Sequence, residues 1–270
     1  MITPIRYIGS KNRLAQTIIS LLPVHSCYVE VCGGSGAVLF TKPYSEVEVY
    51  NDINNHLVTM FQVIRNQPDE FLYRLQWVMY SRKEWMDALT KMRANVFIDT
   101  VDHAINTMIL YGQSMAGVAT MKRGGWGYAL SSNKALDFFN RAAGIKPLAE
   151  RLQNVQIENL DFQSLIPKYD DEKTVFYIDP PYIGDTRAEP SSYVNEFTDA
   201  DHIALVDLLL SLKGQFILSG YDNPIYNRLN IFDRIDIPMT SGARADGKHV
   251  DRVEVIWHKA HARQLAFPLT

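Results

Sequence analysis

Residues 27–52 read CYVEVCGGSGAVLFTKPYSEVEVYND, and the succession of residue types in them outlines a supersecondary unit. Cys27-Tyr28-Val29-Glu30-Val31 is short and β-prone, and Gly33-Gly34-Ser35-Gly36 stops it. Ala37-Val38-Leu39-Phe40 reads as a resumption in helix, Val47-Glu48-Val49-Tyr50 as a second strand, and Asn51-Asp52 closes the run. Strand, glycine turn, helix, strand, acidic residue is the order of a parallel βαβ unit with a right-handed crossover.

Upstream, residues 10–22 place Leu14, Ile18, Leu21 and Leu22 at helical spacing, with Ser10 read as N-cap and Pro23 just past the end. Downstream, residues 54–115 are helical in pattern, as at Phe71-Leu72, Leu75, Val78-Met79, Ile105 and Ile109-Leu110. A Gly-rich stretch, Ala116 to Asn133, precedes a helix over roughly 134–153. Strands return at Val155-Gln156-Ile157, Val175–Ile178, Phe216-Ile217-Leu218 and Val253-Glu254-Val255-Ile256, with a helix from Asp201 to Leu212 among them. The expected organisation is an α/β domain (1–58 plus 154–270) interrupted by a helical insert (59–153).

Composition narrows the function. The 270 residues are 47% hydrophobic and 21% charged, with 27 Lys and Arg against 30 Asp and Glu, which excludes disorder and a strongly basic DNA coater. The net charge of −3 is uneven: 59–150 carries +3 and 151–270 carries −6. Cys27 and Cys32 are too few and too close for a secreted disulfide framework. The first twenty residues hold no long apolar core before a cleavage site, and no apolar run approaches the roughly 20 residues of a membrane span, so a cytoplasmic location is expected.

The most specific chemistry is Asp179-Pro180-Pro181-Tyr182, directly after the apolar strand. Two prolines remove two backbone donors and fix φ, so the chain leaves the strand stiffly with the Pro180 carbonyl open to a donor. A carboxylate, a carbonyl and an aromatic face held together suit an exocyclic amine on a flat ring. Accepting its two N–H bonds localises the nitrogen lone pair and aims it at an electrophile. The bland alternative is a strand ending in a Pro-Pro turn, with Asp179 capping and Tyr182 packed.

With Arg6-Tyr7-Ile8-Gly9-Ser10-Lys11, Glu30-Val31-Cys32-Gly33-Gly34-Ser35-Gly36 and Asn51-Asp52 in the same order, the chain resembles the Dam-type (D12 class) DNA adenine-N6 methyltransferases. The resemblance covers most of the chain and is weakest in the insert. It implies a Rossmann-like, S-adenosylmethionine-dependent methyltransferase fold with a mostly parallel seven-stranded sheet, and S-adenosylhomocysteine as product with no metal. It implies that Asp179, Pro180, Pro181 and Tyr182 are catalytic. Tyr7, Lys11, Glu30, Cys32, Gly34, Gly36, Asp52, Asp161 and Phe162, together with Asp179, would serve the cofactor. The family usually has an aromatic residue where Cys32 stands, so packing around the methionine moiety is expected to differ.

Alternatives remain at single positions: Lys11 as a solvated lysine, Gly34 and Gly36 as an ordinary turn, Cys32 as a small buried hydrophobe, Asp52 as a helix N-cap rather than an acceptor of ribose hydroxyls. Tyr193 and Phe197 read as one turn of helix on the core in preference to a base pocket. In the insert, Lys122, Arg123, Trp126, Tyr128, Asn133 and Lys134 are the candidates to bind double-stranded DNA, a solvated charged face being the rival. Cytosine-N4 methylation, or a DNA-binding protein on an inactive scaffold, are the competing functions. His258 and His261 have the wrong spacing for a zinc site, no G-K-[ST] follows a glycine loop, and a monomer or weak dimer is expected.

Overall fold

The computed structural model describes residues 3–5, 7, 9–115, 125–182, 197–240 and 251–259. One seven-stranded sheet runs through it: β1 (Cys27–Glu30), β2 (Val47–Asn51), β3 (Val155–Glu158), β4 (Thr174–Ile178), β5 (Gln215–Gly220), β6 (Asp233–Thr240) and β7 (Asp251–Lys259), ordered β3-β2-β1-β4-β5-β7-β6. The first five strands are parallel, and β7 is antiparallel to both β5 and β6. This is the expected mostly parallel sheet with an antiparallel last hairpin. The edge strand β6 was not singled out by pattern, because Arg234, Asp236 and Pro238 interrupt its apolar residues; proline is tolerated there because an edge strand has N–H groups to spare.

Side-chain alternation builds a core on each face. Tyr28, Val175, Tyr177, Ile217 and Ile256 point to one side, Val29, Phe176, Ile178, Phe216, Leu218, Val255 and Trp257 to the other. β4 is buried along its whole length, as a central parallel strand must be. On the second face lie α8 (Phe162–Tyr169), which sequence pattern did not reveal, and α9 (Asp199–Ser211), whose start is fixed by a capping box between Thr198 and Asp201. On the first face lie α1 (Ala15–Ser20), α2 (Asn55–Asn66), α3 (Pro68–Leu75), α4 (Arg82–Ala94), α5 (Thr100–Gln113), α6 (Lys134–Ala142) and α7 (Ile145–Leu152). α5 is buried almost all round, so it is the axis on which the insert helices pack.

Three local expectations are corrected. Residues 10–22 do not form one helix: a 3-10 turn over Lys11–Arg13 leads into α1, and Ser10 makes no capping bond but lies hydroxyl to hydroxyl with Ser35 at 2.9 Å. Ala37–Phe40 is a series of turns, with Phe40 N–H donating to Gly36 at 2.9 Å and Lys42 N–H to Val38 at 2.9 Å. The left-handed backbone at Gly34 and Gly36 on one side and Pro43 on the other leave too little chain for a helix. The helix read over 134–153 is two, α6 and α7, divided at Gly144, and Val78-Met79 lie beyond α3. Among the described residues no helix is long and apolar enough to cross a membrane.

Candidate active site

The strand order reverses between β1 and β4, since from β1 the sheet grows one way to β2 and β3, and from β4 the other way to β5. At such a point the loops beyond the two carboxyl ends diverge and leave a crevice. Here it is an open cavity, about 710 Å³ with the solvent at its mouth included, whose wall includes Tyr7, Lys11, Glu30, Cys32, Gly34, Asp52, Tyr177, Asp179 and Phe197. A second cavity, about 510 Å³, is lined by Asn51, Leu160, Asp161 and Phe162 among others. Cys32, Ile53 and Phe197 belong to both walls, so the two form a continuous groove across the ends of β1, β2 and β3.

Asp179, the residue after β4, anchors a polar cluster at one end. Its Oδ1 receives Lys11 Nζ at 2.8 Å and Ser219 Oγ at 3.0 Å, and the Tyr182 hydroxyl oxygen stands 3.2 Å away. Its Oδ2 accepts no hydrogen bond from any described residue, and the side chain keeps 19% exposure at the cavity. Lys11 is thereby not a solvated surface lysine. Its ammonium also contacts the Gly9 carbonyl at 3.2 Å, the Tyr182 hydroxyl and Glu254 Oε1 at 3.3 Å. The Tyr182 hydroxyl in turn donates to Glu254, whose carboxyl burial pushes upward in pKa against the opposing pull of Lys11. The Tyr182 ring is only 8% exposed, with Lys11 Nζ 4.8 Å from its centroid and Tyr221 meeting it edge-on at 4.6 Å. Pro180 is buried and neither it nor Tyr182 lines the cavity, whereas Asp179 and Pro181 do.

The glycine loop forms the adjoining wall. Gly34 has φ +51°, and a Cβ there would come within 3.0 Å of the Tyr7 ring, so only glycine keeps this part of the cradle open. Gly36 has φ +67° but is not in the wall; it fits against Phe40, 2.3 Å from where a Cβ would stand, and its role is to turn and pack the chain. Asp52 lies fully buried and caps nothing; Asn54 is the N-cap of α2. Asp52 instead accepts Gly34 N–H at 2.7 Å and Asn54 N–H at 2.8 Å, tying the loop to the end of β2, while burial raises its pKa to about 6. Glu30 is buried in the same wall, accepts Tyr28 O–H and Leu39 N–H at 2.8 Å each, and is pushed by burial up to about 8. Cys32 is partly exposed rather than a fully buried hydrophobe, and its thiol is raised far above the ordinary range by desolvation. Such a thiol stays protonated and unreactive.

At the far end, Asp161 is the N-cap of α8, accepting Gln163 N–H at 2.8 Å, and Phe162 stacks on Phe197 at 5.0 Å. Phe197 lies before α9 and not on a turn of helix, yet it packs on the core as read and lines the groove as well; Tyr193 lies outside the described residues.

Among the insert candidates, Lys122 and Arg123 fall outside the described residues. Trp126 pairs with Ser114 in an isolated antiparallel bridge, flanked by Met115 N–H to Gly125 at 2.8 Å and Gly127 N–H to Gln113 at 2.7 Å. It packs on Tyr80 at 5.6 Å, lies under the Arg82 guanidinium at 5.0 Å and stacks with Tyr128, which is 59% exposed. Asn133 caps α6 by accepting Leu136 N–H at 2.9 Å, and Lys134 is the first residue of that helix. α5 links this segment to the groove, because its Tyr111 accepts Asn54 Nδ2–H at 2.8 Å and packs on Tyr7 at 5.4 Å.

Sequence reasoning missed Glu254, Ser219, Tyr177 and Ile53. Glu254 did carry a signal, an acidic residue inside the apolar run Val253–Ile256, which a buried strand holds only when the charge has a partner.

The model of the D12 class N6 adenine-specific DNA methyltransferase family matches residues 7–237, and the chain belongs to that family. It is accordingly a methyltransferase that uses S-adenosylmethionine to methylate adenine N6 in DNA. Modification methylase LlaI of Lactococcus lactis is 26% identical over 188 residues, covering 67% of this chain and 30% of that protein. DNA adenine methylase of Salmonella typhi is 22% identical over 229 residues, covering 82% and 81%. Type II methyltransferase M.MjaIII of Methanocaldococcus jannaschii is 24% identical over 226 residues, covering 74% and 76%. Among solved structures, the putative methyltransferase SMU.472 in complex with SAH aligns with a TM-score of 0.39 at 11% identity, over 94% of this chain and 54% of that one.

Proposed function

We propose that the groove across β1, β2 and β3 holds S-adenosylmethionine and that Asp179, Pro180 and Tyr182 present an extruded adenine to it. The residues fit the group: an open groove that runs from Lys11 to Phe162, a cradle that a Cβ at Gly34 would fill, and aromatic rings at Phe162 and Phe197 for a flat base. Phe162 and Asp161 would hold the adenine end, and Tyr7, Lys11 and Gly34 the methionine end. Asp52 and Glu30 shape the wall between, and Cys32 and Gly36 act through packing. When bound, S-adenosylmethionine supplies an electrophilic methyl on a sulfonium sulfur, and S-adenosylhomocysteine is left once the N–C bond has formed and the C–S bond has broken.

The chain's own contribution is orientation and charge. Oδ1 of Asp179 is held by two donors, Lys11 and Ser219, so the carboxylate is fixed in place with Oδ2 turned to a substrate N–H; this carries the reading. Pro180 offers its carbonyl to the second N–H, since no described donor occupies it. With both protons held, the nitrogen lone pair is aimed, and the positive charge that grows on nitrogen during attack is stabilised by the Asp179 carboxylate. Oδ2 is also placed to take the proton that the methylated nitrogen sheds.

A stacked base cannot reach Asp179, so the adenine is flipped out of the duplex. To stack on Tyr182 it displaces the cover that Tyr221 and Lys11 now give that ring, a contact worth about 1–3 kcal/mol. Lys122, Arg123 and Lys134 meet phosphates, Trp126 and Tyr128 approach bases, and Asn133 holds α6 in place for them. We further infer a cytoplasmic monomer or weak dimer that needs no metal.

Asp179→Ala tests the assignment. Transfer of labelled methyl to DNA from a methylation-deficient strain should fall by about 100-fold or more, with cofactor affinity changed far less. Wild-type turnover by the folded variant overturns it.

A further inference from the structure

Glu254 lies near the start of β7, 75 positions beyond the catalytic carboxylate by residue number, and reaches the site only because of topology. β7 runs antiparallel to β5, so its first residues lie beside the carboxyl end of that strand, where Gly220 pairs with Val255. Glu254 therefore arrives on the same sheet face as Tyr177 and Ser219 and is 5% exposed. Its Oε1 accepts the Tyr182 hydroxyl and stands 3.3 Å from Lys11 Nζ. The phenol oxygen is thus engaged twice, accepting from Lys11 and donating to Glu254, which fixes the ring about its axis and in depth.

Resting on the site reading above, we propose that Glu254 is a positioning residue for methyl transfer that acts through the Tyr182 ring: it accepts the phenol proton and so fixes the ring. Stability is a poor account of it, since a buried ion pair contributes little net free energy over an apolar replacement. With Glu254 gone, the phenol turns to the more distant Asp179 Oδ1, and the base is stacked on a ring held less firmly. The effect should fall on turnover more than on cofactor affinity, because neither Glu254 nor Tyr182 lines the cavity.

The test is a double-mutant cycle with Tyr182→Phe, read by single-turnover methyl transfer to DNA from a methylation-deficient strain. Glu254→Ala should slow transfer by about tenfold or more, Glu254→Gln by less because the amide oxygen still accepts, and affinity for S-adenosylmethionine should stay within about threefold. In the Tyr182→Phe background either change should add less than about threefold, because the hydroxyl through which Glu254 acts is already gone. Without cofactor or DNA, the 13C resonance of labelled tyrosine assigned to Tyr182 through its Phe variant should move in Glu254→Gln. Multiplying losses, an unmoved resonance, or a wild-type rate for Glu254→Ala overturns the proposal. Should Glu254→Ala fail to fold, Glu254→Gln decides by the same cycle. An inactive Asp179→Ala beside a fully active Glu254→Ala refutes this inference alone, whereas an active Asp179→Ala refutes the underlying site.

Discussion

Glu30 holds a proton that it would give up in water. Burial raises its carboxyl to about 8, against the lowering effect of the bonds from Tyr28 and Leu39, while the unfolded chain titrates near 4.5. The folded state therefore binds the extra proton between those values, so the stability that Glu30 contributes is complete below about pH 4.5 and is lost as the pH climbs to about 8. The slope approaches about 1.4 kcal/mol per pH unit for the one group. Glu30→Gln keeps an acceptor for Tyr28 and Leu39 but cannot titrate. Its melting temperature, relative to wild type, should rise from pH 5 to pH 8 in the absence of cofactor; parallel pH profiles for the two proteins would contradict this. The neighbouring Cys32 is silent over the same range, because desolvation holds its thiol protonated.

Helix ends and strand ends do the positioning. Asp161 serves α8 as N-cap and the groove as lining, and the two duties separate by substitution. Asparagine caps as well as aspartate, whereas alanine forfeits about 1 kcal/mol. Asp161→Asn should leave the melting temperature unchanged and weaken S-adenosylmethionine binding, while Asp161→Ala lowers both; if Asn binds like wild type, Asp161 only caps, which calorimetric titration will show. α7 is held differently: Arg151 donates to Glu48 Oε1 at 2.7 Å and to the Leu39 carbonyl at 3.1 Å, all buried, with Lys42 on the same carboxylate. This network fastens the last helix before β3 to β2 and to the turns that follow the glycine loop. The helices α2 and α5 meet through His56 Nδ1 and His103 Nε2, 2.7 Å apart, with burial lowering both and holding His103 at about 4.

At the scale of the whole molecule, a net charge of −3 coexists with DNA binding because the charge is divided: the insert is positive, the sheet's C-terminal half negative. Were Lys122, Arg123 and Lys134 the phosphate contacts, the log of DNA affinity should fall with log salt at a slope of about −3, by roughly 0.9 per contact. A slope near zero or near −10 excludes that footprint. Tyr128→Ala removes an exposed ring without disturbing the bridge that holds Trp126, and should weaken DNA binding about tenfold while cofactor affinity stays constant. Equal DNA affinity in a filter-binding assay would remove Tyr128 from the interface.

Local sequence determined the punctuation of this protein. The glycine cluster, the apolar run into Asp179-Pro180-Pro181-Tyr182 and, Val78-Met79 apart, the helical periodicity of 54–115 are short-range patterns found where pattern placed them, because backbone conformation and alternate burial act over a few residues. The resemblance to the D12 class, not spacing, joined Asp179, Tyr182, Lys11 and the glycine loop as one expected site. The tertiary structure alone decided the rest. Ala37–Phe40 looks helical but lies between two left-handed glycines and a proline. Asp52 reads as an acceptor of ribose hydroxyls or a helix cap; the fold gives the cap to Asn54 and ties Asp52 to Gly34 in the wall of the groove. Glu254 looked like an ordinary strand residue until the reversal of β7 delivered it to Tyr182 and Lys11. Burial, and the company a buried charge must keep, are set by strand order, and strand order is not written in the spacing of neighbours along the chain.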